Sequence, residues 1–114
     1  MLEVHLTYEY CETCGRFGRC VFGKNTSHEL NKMAKEAGIY KEVWRPEEAG
    51  ITKASQLINL LEEAIIKMSN ESDFFKKFNP PDGYWGTYEV LLNFLEELLI
   101  ACKKYPDSRY VTRR

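Results

Sequence analysis

Cys11-Glu12-Thr13-Cys14-Gly15, then Cys20, then Asn25-Thr26-Ser27-His28 gather three thiols and an imidazole within 18 residues of one another. Cys-x-x-Cys followed by glycine is knuckle spacing: two thiolates on one tight turn can hold the same zinc ion, and the glycine lets the turn close. Cys11, Cys14 and Cys20 are therefore the candidate metal ligands, with His28, His5 or Cys102 as the fourth. Two other readings stand beside zinc. The thiols can simply stay free in a tight loop, or take a redox or disulfide role, although no βαβ pattern surrounds them as a thioredoxin-like site requires.

A second group of residues suits a planar, charged ligand. Asn25, Thr26 and His28 sit where a helix is expected to begin, and a helix start offers free N–H groups and partial positive charge. Trp85-Gly86-Thr87-Tyr88 opens another helix, with Trp44 and Arg45 as companions elsewhere in the chain. Aromatics at a helix entrance also seal cores, so a packing role competes with a stacking one. The candidate ligand-binding set is Asn25, His28, Trp44, Arg45, Trp85 and Tyr88. Nothing here pairs a nucleophile with a base and an orienting acid, so the reading leans away from an enzyme.

Composition narrows the partners. The 114 residues make one domain, and 16 basic against 17 acidic residues leave a net charge of −1, with no global field to recruit nucleic acid. No run approaches the ~20 apolar residues needed to cross a bilayer. Met1-Leu2-Glu3-Val4 lacks the basic start and apolar core of a secretion signal, which places the expected compartment in the cytoplasm, where thiols stay reduced.

The elements that must position these residues are legible by period. Leu2, Val4, Leu6, Tyr8 and Tyr10 alternate with Glu3, His5, Thr7 and Glu9, which predicts a half-buried strand. Arg19 to Phe22 is expected to return as a second strand, tipped by the knuckle. Thr26 with Glu29 predicts a capping box opening the first helix, with Leu30, Met33, Ala34 and Ala37 inward and Gly38 ending it. Tyr40 to Pro46 reads as a half-helical connector. Thr52 is expected to cap a helix running to about Met68, and Phe74, Phe75 and Phe78 to lie on a short third one. From Thr87 as cap, Tyr88, Leu91, Leu92, Leu95, Leu98, Leu99 and Cys102 form a continuous apolar stripe. Arg109 to Arg113 alternates and must pair with the N-terminal hairpin. The expected fold is α+β: a small antiparallel sheet, built of that hairpin and the C-terminal strand, with about four helices packed on one face.

Four segments in order carry a resemblance: Asn25-Thr26-Ser27-His28 leading to Asn31-Lys32-Met33-Ala34; Ala37-Gly38-Ile39-Tyr40 with Trp44-Arg45-Pro46; Asn79-Pro80 to Gly83 with Trp85-Gly86-Thr87-Tyr88; and Ala101-Cys102 with Tyr105-Pro106-Asp107. The pattern resembles a family of small phage and prophage proteins that share motifs like Asn-x-Thr-His-Asn, Trp-Arg-Pro and Asn-Gly-Trp-Gly-x-Tyr. The chain departs from it around His28, at Tyr84, and in ending Thr112-Arg113-Arg114 instead of Ser-Arg. The resemblance implies a phage accessory protein in a bacterial host cell. The expected partner is then a small anionic or nucleotide-like ligand or a host defence protein, with no membrane, and homo-oligomers are compatible. The alternative is a zinc-stabilised adaptor that binds protein or nucleic acid through the knuckle hairpin.

Overall fold

The strand alternation decides the architecture. In the structure, a computed structural model that describes residues 2–7, 20–26, 30–77 and 87–113, Leu2, Val4 and Leu6 are fully buried while Glu3, His5 and Thr7 lie half-exposed on the opposite face. They form β1 (Leu2–Thr7), the centre of a three-stranded antiparallel sheet between β2 (Cys20–Thr26) and β3 (Arg109–Arg113). Helices cover the core face, so the α+β expectation holds.

The second strand is longer than its local sequence indicates. It continues through Asn25 and Thr26, which pair with Glu3 and Leu2, so Thr26 ends a strand and does not cap a helix. Directly opposed residues share a sheet face, and Thr26 is accordingly buried beside Leu2. The first helix, α1 (Asn31–Ala37), starts later, with Leu30 at its N-cap and no side-chain cap bond. Glu29 lies outside the described residues. Where Thr7 pairs with Cys20 and Leu6 with Phe22, the register shifts by one residue at Val21. Gly23 faces His5: a Cβ there would stand 3.2 Å from His5 Nδ1, so the glycine makes room for the imidazole.

Gly38 ends α1 as expected, with φ 77° and the Ile39 N–H donating to the Ala34 carbonyl at 3.1 Å. The connector resolves into α2 (Tyr40–Trp44) and α3 (Pro46–Ala49), the latter started by its proline. Thr52 does not cap α4 (Ser55–Asn70), whose N-cap is Ala54. Its carbonyl instead accepts from the Tyr110 N–H at 2.9 Å, which draws this stretch onto β3. Gln56 then turns back, its Oε1 accepting from the Thr52 and Lys53 N–H groups at 2.7 and 2.9 Å.

Phe75 of α5 (Ser72–Lys76) is buried, Phe74 is partly exposed, and Phe78 lies outside the described residues. In α6 (Tyr88–Lys104), Thr87 caps as expected, its Oγ1 accepting from the Val90 N–H at 3.3 Å. The stripe is wider than predicted: Phe94 and Ala101 are also buried, while Leu92 and Leu99 sit half-buried on its flank. The α6 helix runs antiparallel to α4. Its first residue bonds the end of α4 (Tyr88 OH to the Met68 carbonyl, 3.0 Å), and Ser55 at the start of α4 donates to the Pro106 carbonyl at 3.0 Å. Among the described residues no helix is long and apolar enough to cross a membrane.

Candidate functional site

Among the described residues, the best-assembled group of aromatic and charged side chains surrounds Tyr40. Its ring lies on the indole of Trp44, with centroids 5.7 Å apart and planes inclined by 24°. The Lys35 ammonium stands 4.8 Å from the Tyr40 ring centroid, a cation–π distance. Arg45 Nε donates to the Tyr40 hydroxyl at 3.3 Å, and its Nη1 reaches Glu48 at 3.4 Å. The Tyr40 hydroxyl, and after it the Glu48 carboxylate, push the Arg45 pKa up, so the guanidinium keeps its charge. Two cations and one phenol ring are thus held at a corner where α1, α2 and α3 meet.

Local sequence explains this corner. The left-handed turn at Gly38 folds α2 back against α1, which brings Lys35 over Tyr40. Pro46 ends α2 immediately after Trp44, leaving Arg45 on the outside of the bend. Tyr40 and Lys35 were not singled out by sequence reasoning. The signal was the pairing across Gly38, which needs the turn geometry to be read.

The other candidates separate. Trp44 is fully buried and packs against Phe94 of α6 at 6.2 Å, so it is the floor under Tyr40 and presents no open face to a ligand. Tyr88 is only 6% exposed, and its hydroxyl is committed to the Met68 carbonyl. Burial pushes its pKa up, with Glu89 and Glu96 adding to the effect. Its cationic neighbour is Lys76 of α5, whereas Arg45 has Tyr40 and Glu48. Asn25 is exposed on the sheet face opposite the core, paired with Glu3. Cys11, Cys14, His28 and Trp85 lie outside the described residues, as does the Cys20 side chain, although its backbone belongs to β2. No group of three His, Cys, Asp or Glu that could hold a metal ion occurs among the described residues.

One further feature lies at the β2–α1 junction. Among the described residues, Thr26 Oγ1 and Asn31 Oδ1 are buried without a hydrogen-bond partner. Leaving such an oxygen unpaired costs about 1–3 kcal/mol. Two cavities are also present: one of about 270 Å³ between α3 and β3, lined by Pro46, Ile51, Thr52 and Tyr110, and one of about 350 Å³ between β2 and α6, lined by Phe22, Ile100 and Tyr105. Neither is lined by Asn25, Trp44, Arg45 or Tyr88.

Cys102 is the small buried hydrophobe that its place on the α6 stripe predicts. Burial pushes its thiol from the usual 9.0 up to about 12, so it stays protonated and is no nucleophile. Burial likewise pushes Tyr110 up, with Cys102 contributing. In both, the folded form holds its proton to higher pH than the unfolded chain. The contribution of Cys102 is therefore complete below 9.0 and declines as pH rises from there to about 12, and that of Tyr110 declines as pH rises above its usual 10.0. Urea denaturation across that window should show stability falling, and Cys102→Ala should flatten the fall. A flat wild-type profile would contradict the burial of both groups.

Comparison of the chain with protein-family profiles, with curated proteins and with solved structures returns no match.

Proposed function

We propose that this chain is a non-catalytic accessory binding protein of phage type, which sequesters a host component by gripping a planar anionic group of the nucleotide kind. The observation that carries this reading is the Tyr40 corner. An aromatic ring is buttressed from below by Trp44, with Lys35 over the ring and Arg45 on its hydroxyl. Once the Lys35 ammonium swings off the outer face of the ring, a base can stack there, while a phosphate takes the forked contact that a guanidinium offers and lysine cannot reproduce. The phage assignment rests on the motif resemblance alone.

The test begins with the purified chain, denatured and extracted, with mass spectrometry of what is released. Titration calorimetry then compares mononucleotides, dinucleotides and cyclic nucleotides. Tyr40→Ala should weaken binding by about 1–3 kcal/mol, the usual worth of one base on an aromatic platform. Arg45→Lys should weaken phosphorylated ligands and leave the free nucleoside unaffected. If no nucleotide is released and none binds, the reading is wrong.

A further inference from the structure

The surface of the α4–α6 pair carries two exposed isoleucines, the second of them at the rim of the β2–α6 cavity. Ile66 is 59% exposed and Ile100 is 67% exposed. An exposed isoleucine alone needs no explanation, but these two are placed together. Glu62 of α4 and Lys103 of α6 form an ion pair of 2.9 Å across the groove between the helices. Ile66 lies one turn after Glu62 and Ile100 one turn before Lys103. Because the helices are antiparallel, both steps run the same way, and the isoleucines arrive side by side within roughly one helical turn of the same level.

The charges around Ile100 have a matching symmetry. Residues four apart on a helix share a face, so Glu96, Ile100 and Lys104 form one exposed row with acid before the isoleucine and base after it. A two-fold axis through Ile100, perpendicular to α6, would set Glu96 of one copy against Lys104 of the other, twice over. On α4 the same operation brings Ile66 against its own copy, flanked by Glu62 and Asn70, which do not repel. One axis therefore serves both isoleucines and the Glu96–Lys104 row.

We propose that this face binds a second copy of the chain, giving a two-fold dimer in which α4 and α6 stack antiparallel on their counterparts as a four-helix layer. An isologous interface requires a self-complementary patch, and this row meets that requirement. Two helices on the order of 25 Å long offer a modest area, at the low end for specific complexes. The association is thus a concentration-dependent equilibrium and not an obligate dimer. It is independent of the ligand-binding reading at the Tyr40 corner.

Sedimentation equilibrium of the full chain tests it. The wild type should pass from monomer to dimer as concentration rises. Ile100→Glu, at a position whose side chain is already in water, should raise the dissociation constant at least ~tenfold with an unchanged melting curve for the monomer. Glu96→Lys and Lys104→Glu should each weaken the dimer by creating like-charge pairs. An equimolar mixture of those two variants should form a heterodimer, because each then supplies the charges the other needs. A wild type that stays monomeric throughout, a dimer indifferent to Ile100→Glu, or a mixture that fails to recover would each overturn the proposal.

Discussion

Trp44→Ala should cost about 3–5 kcal/mol, the range for deleting a fully buried indole, out of the roughly 5–15 kcal/mol that holds a domain of this size folded. The indole has no exposed surface and sits between Tyr40, 5.7 Å away, and Phe94, 6.2 Å away. Its removal empties a space bounded by two helices and an aromatic ring, which cannot collapse into it together. The neighbouring Val43 carbonyl is held by the Tyr110 hydroxyl, so the backbone of α2 is fixed from the sheet side as well. Tyr40→Ala is the contrasting variant. Its ring is only half-buried, so it should lose ligand binding with a much smaller loss of stability. Equilibrium denaturation in urea separates the two cases. A Trp44→Ala protein with an unshifted midpoint would show that the indole is not part of the core.

That contrast also marks what was readable in the sequence. Local patterns came through: the alternation of Leu2, Val4 and Leu6, the glycine stop at Gly38, the Thr87 cap and the apolar stripe down to Cys102. Each depends on neighbours a few residues away. Errors arose where a distant partner decided the outcome. Thr26 looks like a cap beside Glu29, but Leu2 pairs with it and makes it strand. Thr52 looks like a cap for α4, but Tyr110 takes its carbonyl for the sheet. At the site, Trp44 and Arg45 are adjacent in sequence and point oppositely, one into the core and one to solvent. The ring that Arg45 touches is Tyr40, reached only after Gly38 has folded the chain back. Residue type alone could not tell which aromatic was floor and which was platform.

Deleting residues 109–114 should abolish cooperative unfolding and leave an aggregating chain. The segment is short, but its contacts lie on both sides. Toward the sheet it pairs with β1 from Glu3 to Thr7, and without it the sheet is reduced to two strands, which are marginal alone. The freed edge of β1 would then offer unpaired N–H and C=O groups to another chain. Toward the helices, Tyr110 is 3% exposed, its hydroxyl donates to the Val43 carbonyl at 2.8 Å, and its N–H to the Thr52 carbonyl at 2.9 Å. These bonds tie α2 and the start of α4 to the sheet, so their loss loosens both. Tyr110→Phe isolates one part of this. It keeps ring and strand but leaves the Val43 carbonyl without its donor, at a cost of about 1–3 kcal/mol, and should still unfold in one sharp transition. Near-ultraviolet circular dichroism and light scattering on the truncated chain decide the matter. A soluble truncation with a sharp melting transition would mean that β1 and β2 hold the helices without β3, and that the third strand is an accessory to the fold.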